Sequence, residues 1–132
     1  LHPARVEMIH LDTSILIRGL VRGSAEDRAL RKWLKDGESL GMSKVAWTEV
    51  LCGPLEESHR ELATRVVSQR VPFLEEDAVT SARLFNETGR RRGSLIDCMI
   101  AASALRAREP LATANVADFR RFATFGLAIL EA

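Results

Sequence analysis

Short apolar segments alternate along the chain with longer segments whose apolar residues recur at helical spacing. A short apolar run bounded by turn residues is typical of a buried strand, and apolar positions three and four residues apart are typical of a helix. Turn-forming residues such as Gly23, Gly37 and the pair Gly53 and Pro54 separate these segments. The predicted strands are residues 6–11, 39–42, 71–74, 111–113 and 125–130, and the clearest predicted helices are residues 25–35, 59–69, 75–92 and 94–108.

This alternation indicates an α/β protein. The segments follow one another without an internal repeat, a linker or a low-complexity stretch, and 132 residues suit one sizeable core. We therefore predict a single domain over residues 8–132, folded as a three-layer α/β/α sandwich with a central, mostly parallel sheet. Residues 1–7 carry little pattern and are expected to form an N-terminal extension before a natural start at Met8; whether they are native stays open.

One predicted helix, residues 94–108, is apolar on most of its surface and carries a single acid, Asp97. A carboxylate in apolar surroundings requires a hydrogen-bonding partner or a metal ion. The alternative is a capping box, in which Ser94 caps the helix and Asp97 reaches back to it. In the helix before it, residues 75–92, the expected core positions are Val79, Ala82, Leu84 and Phe85.

Composition narrows the class of protein. Apolar residues make up 46% of the chain, which is typical of a globular protein, and a formal net charge of +1 gives no strong field for nucleic acid or membrane. No apolar run approaches the roughly 20 residues of a membrane span, and no signal peptide is recognised, so we expect a cytoplasmic protein. Cys52 and Cys98 lie in apolar helical stretches and are expected to be buried thiols.

Three further acids share the setting of Asp97. Asp12 and Asp118 each follow a predicted strand, and Glu49 lies on a mostly apolar helix that begins after Ser43. Ordinary roles remain open for each: a helix cap near Asp12, an exposed ion pair for Glu49, and an exposed turn position for Asp118.

Strand ends and helix starts meet at one edge of a parallel sheet, so the four acids can converge on one pocket. Clustered carboxylates repel one another and become protonated unless a cation neutralises them. A set of oxygen ligands without His or Cys suits a hard ion, Mg²⁺ or Mn²⁺. Such an ion can polarise a phosphoryl group and activate water near neutral pH.

The segments around these acids resemble a known family. HLDTSILI around Asp12, TEVLCG around Glu49, SLIDCMIAASAL around Asp97 and LATANVADF around Asp118 are similar, in order and spacing, to the motifs of PIN-domain nucleases. The similarity is greatest to the VapC-type toxins of toxin–antitoxin pairs, and it covers essentially the whole chain after Met8.

The resemblance implies a Mg²⁺-dependent endoribonuclease that is paired with an antitoxin protein and forms a homodimer. It implies Asp12 and Asp97 as the main metal ligands, with Glu49 and Asp118 completing the pocket, although Asn115 competes with Asp118 as the fourth group. Small polar neighbours that would support these ligands are Thr13, Ser14, Thr113 and Asn115. Candidates for holding the RNA backbone are Arg90, Arg91, Arg92, Arg120 and Arg121.

Other functions fit the sequence less well. A phosphoacceptor signalling domain would need adjacent acids after the first strand and a late lysine, but Asp12 stands alone and no lysine follows Lys44. A catalytically inactive RNA-binding or protein-binding module is disfavoured because all four acids are present. RNA processing outside a toxin–antitoxin pair remains an alternative within the same family.

Overall fold

The computed structural model describes residues 8–132, and five short parallel strands form its one sheet. The expectations for residues 1–7 lie outside the described residues. The strands are β1 Ile9–Leu11, β2 Leu40–Ser43, β3 Gln69–Val71, β4 Leu111–Thr113 and β5 Ile129–Glu131. The helices are α1 Thr13–Gly19, α2 Ala25–Lys35, α3 Lys44–Cys52, α4 Glu57–Val66, α5 Glu75–Glu87, α6 Leu95–Ala107 and α7 Val116–Phe119, followed by a 3₁₀ helix at Arg120–Phe125. The predicted α/β/α sandwich with a parallel sheet is confirmed.

The order of the strands creates one reversal in the sheet. The order is β3-β2-β1-β4-β5, so the chain moves outward from β1 to β3 and then returns to the other side of β1 with β4. His10 of β1 is in register with Gly41 of β2 and with Leu111 of β4. In open α/β sheets, ligands bind beyond the carboxyl ends of the strands at such a reversal. The fold therefore draws attention to the residues that follow β1 and β4.

Helices cover both faces of the sheet, so the central strands are buried throughout. Leu11, Leu40 and Leu111 are all 0% exposed. The apolar pattern of α6 is explained by the same packing, because Cys98 and the stretch from Ile100 to Ala104 are buried. No helix among residues 8–132 is long and apolar enough to cross a membrane.

Several predicted boundaries are wrong. The third strand is Gln69–Val71 and not residues 71–74, since Pro72 has no backbone N–H to donate to a neighbouring strand. The last strand is Ile129–Glu131 and not residues 125–130, because the 3₁₀ helix extends to Phe125 and ends at Gly126, whose φ is +103°. The helix predicted at residues 59–69 is Glu57–Val66.

Some predicted core positions are also wrong. Val79 is 64% exposed and Ala82 is exposed, while Asp77 on the same helix is buried. Asp77 accepts a hydrogen bond from Nε of Arg106 at 2.9 Å, so the buried face of α5 contains an ion pair to α6. Cys52 is exposed, contrary to expectation, whereas Cys98 is buried as predicted.

Candidate active site

Asp12 lies at the end of β1 and caps α1. It is 4% exposed, and its Oδ1 accepts hydrogen bonds from the backbone N–H of Ile15 at 3.1 Å and from Oγ of Ser14 at 2.7 Å. The capping role considered from the sequence is thus real. It accounts for one of the two carboxylate oxygens and leaves Oδ2 to face the neighbouring strand.

A hydrogen bond across the reversal of the sheet joins the ends of β1 and β4. Oγ1 of Thr113 donates to Oδ2 of Asp12 at 2.7 Å, and Thr113 is 0% exposed. Burial raises the pKa of Asp12 above its ordinary value, although the hydrogen bonds from Thr113, Ser14 and Ile15 act in the opposite direction. The charge of Glu49 adds to this rise in pKa.

Asp97 lies in the first turn of α6 and does not act as a cap. The structure does not contain the capping box considered as the alternative: Ser94 has helical backbone angles, and its Oγ donates to the carbonyl oxygen of Arg91 at 2.7 Å. The Asp97 side chain is 31% exposed and is opposed by Nη2 of Arg121 at 4.0 Å. The carboxylate of Asp97 therefore makes no hydrogen bond that caps α6.

The charges of the other three acids act on Asp97. Burial raises the pKa of Asp97 from 3.8 to about 6, and the charges of Asp118, Asp12 and Glu49 add to the rise, while that of Arg121 opposes it. A carboxylate with this pKa is poorly accommodated as an anion. The four acids predicted from the sequence are brought to one edge of the sheet.

Glu49 and Asp118 form the outer part of this cluster, since both are exposed. Oγ1 of Thr13 donates to Oε1 of Glu49 at 2.6 Å, which ties α3 to the start of α1. Asp118 belongs to the short helix α7 and is the acid that raises the pKa of Asp97 most strongly. The clearest electrostatic neighbour of Asp97 after β4 is thus Asp118, whereas Asn115 donates its backbone N–H to Oγ1 of Thr113 at 2.9 Å.

Three small polar residues, Ser14, Thr113 and Asn115, are connected through hydrogen bonds around Asp12, and Thr13 bonds separately to Glu49. Oγ of Ser14 donates to Asp12 and accepts the backbone N–H of Ala114 at 3.2 Å. Together with the bonds of Thr13, Thr113 and Asn115, this network fixes the turns after β1 and β4. All four of the predicted supporting residues therefore contact a site acid or another member of the network.

The predicted RNA-binding arginines fall into two groups. Arg90, Arg91, Arg92 and Arg120 are exposed. Arg90 hydrogen-bonds to the side chain of Asn86 and lies 5.3 Å from the ring of Phe85. Arg121 is different, because its side chain is only 16% exposed and pairs with Asp97. This ion pair could not be predicted from the sequence, because it depends on the 3₁₀ helix after α7.

The donor set fits a hydrated magnesium or manganese ion. In residues 8–132, no three acidic, histidine or cysteine side chains are grouped closely enough to hold an ion by themselves. Magnesium is usually bound through one or two carboxylates and keeps several waters, so it does not need such a cage. Asp12 and Asp97 can supply those carboxylates, and Oδ2 of Asp12 has acceptor capacity beyond its one hydrogen bond from Thr113.

A parallel sheet with acidic side chains at its reversal defines a class of α/β proteins, and comparison with known proteins identifies the family. The PIN domain model matches residues 9–124, and the chain belongs to the PIN domain family. The resemblance stated from the motifs is therefore confirmed. Comparison with curated proteins gives no match.

Solved structures with the same fold include several toxin–antitoxin complexes. VapBC2 from Rickettsia felis, bound to a DNA fragment from their promoter, has a TM-score of 0.73 and 16% identity, and covers 95% of this chain and 98% of that chain. VapBC-1 from nontypeable Haemophilus influenzae has a TM-score of 0.71 and 23% identity, with 94% and 97% covered. A toxin–antitoxin complex from Klebsiella pneumoniae has a TM-score of 0.66 and 28% identity, with 84% and 89% covered.

Proposed function

We propose that this PIN-domain protein is a Mg²⁺-dependent endoribonuclease and the toxin of a type II toxin–antitoxin pair. One observation supports the nuclease part of the proposal: Asp12 and Asp97 lie beyond the strand ends at the reversal of the sheet, and the pKa of Asp97 is raised to about 6 by burial first and then by the charges of Asp118, Asp12 and Glu49. A cluster of this kind is stabilised when a cation neutralises it. The expected substrate, a phosphodiester, supplies the oxygen ligands that such an ion also prefers.

Asp12 and Asp97 would hold the ion, and Glu49 and Asp118 would complete the negative pocket. When bound, Mg²⁺ would polarise a phosphoryl oxygen and make water a nucleophile near neutral pH. The hydrogen bonds to Asp12 from Ser14 and Thr113 fix the orientation of its carboxylate, which favours a constant ligand geometry.

Glu49 is the candidate for orienting the attacking water or accepting its proton. Its carboxylate is exposed and fixed by the hydroxyl of Thr13 at 2.6 Å, so one oxygen is positioned while the other stays accessible. Attack would proceed in line with the bond to the leaving oxygen of the RNA backbone. The exposed Arg90, Arg91, Arg92 and Arg120 are candidates for binding neighbouring phosphates.

The toxin part of the proposal is supported by the kind of protein that shares this fold. Three of the similar structures are complexes of a toxin with its antitoxin. The surface of this chain also leaves large apolar side chains exposed, among them Val21 at 63% and Leu34 at 45%. Such surface is consistent with a homodimer and with an antitoxin segment that crosses the acidic pocket and places an arginine among the acids.

The test of the nuclease is cleavage of a labelled single-stranded RNA by the purified protein in Mg²⁺ or in EDTA. We expect cleavage in Mg²⁺ alone and a loss of at least about 10²-fold for Asp12→Asn, because the ion loses a charged ligand. Asp36→Asn is the matched control, since Asp36 is half exposed and pairs with Lys32 on α2. Cleavage that persists in EDTA, or equal loss in both variants, would reject the assignment.

The test of the toxin is induction of the chain in bacteria. We expect growth arrest with the wild type and none with Asp12→Asn, and light scattering should give a mass of twice 14.7 kDa for the purified protein. Normal growth with the active nuclease would reject the toxin role while leaving the nuclease intact. A strict monomer at high micromolar concentration would reject the homodimer.

A further inference from the structure

Arg121 lies inside the acidic site, unlike the other arginines predicted to bind RNA. Its Nη2 is 4.0 Å from Oδ2 of Asp97, and its side chain is 16% exposed. The guanidinium carbon lies 4.5 Å from the centre of the Phe122 ring, so the plane of the group is supported from one side. The 3₁₀ helix thus places a positive charge beside one of the two main candidate metal ligands.

The hydrogen-bonding capacity of this guanidinium is largely unused. Among the described residues, Nε of Arg121 is buried and has no hydrogen-bond partner. The distance of 4.0 Å to Asp97 is too long for a hydrogen bond, so the ion pair does not satisfy Nη2 either. A buried charged donor without a partner is costly, which suggests that the group has a ligand in the working state of the protein.

The geometry of the unpaired donors of Arg121 indicates which kind of ligand they would bind. Nε and Nη2 lie on the same edge of the guanidinium plane, and this fork of donors matches two oxygens of a carboxylate or a phosphate. Asp97 is a carboxylate, but at 4.0 Å it is not engaged by the fork. A phosphodiester at the acidic site would bring two non-bridging oxygens to the same place.

We infer that Arg121 is a catalytic residue that donates hydrogen bonds to the non-bridging oxygens of the phosphodiester being cleaved, and that the ring of Phe122 supports the guanidinium before the phosphate arrives. The inference rests on the proposed nuclease function. Negative charge grows on these oxygens as water attacks, and a fixed cationic donor at that point stabilises the transition state.

Kinetics of three variants with single-stranded RNA at saturating Mg²⁺ test the inference. Arg121→Gln should lower kcat by about 10²-fold with little change in KM, which is the usual effect of losing one such donor. Arg121→Lys keeps the charge but loses the fork, so kcat should fall by about 10-fold. Arg120→Gln makes the same change of charge one residue away, and it should raise KM while kcat stays within a factor of about two.

Other roles for Arg121 predict different results. If Arg121 only competes with the ion for Asp97, Arg121→Gln will keep its kcat and need less Mg²⁺ for half-maximal activity. If Arg121 only supports the fold, Arg121→Lys will recover both the melting temperature and the full kcat. Either result would overturn the inference, and Arg121→Lys keeps the test valid if Arg121→Gln does not fold.

A binding experiment in EDTA tests the inferred role of Arg121 without measuring catalysis. Asp97→Asn removes the negative charge that lies 4.0 Å from Nη2 of Arg121, so fluorescence anisotropy should show binding of a labelled single-stranded RNA about 10-fold tighter than that of the wild type. Adding Arg121→Gln should abolish this gain, whereas adding Arg120→Gln should retain most of it. An equal gain with and without Arg121 would overturn the inference. A wild type that binds RNA in this way but never cleaves it would refute the proposed nuclease instead.

Discussion

Replacing Asp97 by asparagine should make the metal-free protein more stable at neutral pH. Most substitutions of a half-buried residue destabilise a protein, so the direction of this effect is diagnostic. Asn keeps the size of the side chain and removes its charge. The pKa of Asp97 is raised by burial first and then by the charges of Asp118, Asp12 and Glu49, so the ionised form strains the native state.

The magnitude follows from the difference between the folded and unfolded pKa. A rise from 3.8 to about 6 corresponds to at most about 3 kcal/mol. The Asp97 side chain is 31% exposed, and screening by solvent reduces this to about 1–2 kcal/mol. The opposing effect of Arg121 is already contained in the pKa, because its attraction lowers the value and the net direction is still upward.

The pH dependence has a definite sign. Because the folded pKa of Asp97 is raised, the folded state holds the proton more tightly, and the free energy of unfolding of the wild type falls as pH rises from about 4 to about 6. The gain in stability of Asp97→Asn over the wild type should therefore be absent at pH 4 and complete at pH 7.5. Comparison of the two proteins at each pH cancels contributions from other groups, such as His10.

Urea unfolding in EDTA at pH 4 and pH 7.5 measures this difference, and thermal unfolding should show a rise of about 3–8 °C at pH 7.5. Mg²⁺ should reverse the order, since an ion that binds only the folded wild type stabilises it by about 2.7 kcal/mol at 100 times the dissociation constant. Asp36→Asn should show neither effect. An Asp97→Asn protein that is less stable than the wild type in EDTA at pH 7.5 would refute the reasoning, because Asp97 would then be a stabilising partner of Arg121.

Three further predictions concern the surroundings of the site. Thr113→Val keeps the shape of the side chain but removes the donor to Oδ2 of Asp12. The free energy of unfolding, measured with urea, should fall by about 1.5–3 kcal/mol. A decrease below about 0.5 kcal/mol would show that the hydrogen bond is unimportant. Burial lowers the pKa of His10, although its hydrogen bond to Glu109 opposes this. The wild type should therefore lose stability relative to His10→Gln as pH falls below about 6.5. A difference in the free energy of unfolding between the two proteins that does not change with pH would contradict this prediction. Asp12→Asn and Asp97→Asn combined should reduce RNA cleavage little more than either alone, because both act on one ion; multiplicative losses would indicate separate roles.

The order of the elements and the positions of the acids could be predicted from the sequence. An apolar segment that runs directly into Asp12, followed by a helical pattern, defines the end of a strand and the start of a helix. The same reasoning places Asp118 after β4. These positions follow from local pattern and from the general rule that the ends of parallel strands share one edge.

The contacts that depend on tertiary packing could not be predicted. Hydrophobic periodicity assigned Val79 to the core, but the face of α5 that packs on α6 contains Asp77, which pairs with Arg106. An apolar residue on a helix has the same pattern whether it faces the core or a partner protein. The position of Arg121 depends on a 3₁₀ helix that the pattern of apolar residues did not reveal.

Calorimetric titration of the metal-free protein with Mn²⁺ tests the central claim most directly, because it measures the ion at the four acids without requiring the right RNA. The account predicts saturable binding of one or two ions per chain, weakened at least about 10-fold in Asp12→Asn and in Asp97→Asn, and unchanged in Asp36→Asn. No binding by the wild type at millimolar Mn²⁺, or the same affinity in all three variants, would contradict the claim that these carboxylates form a metal site.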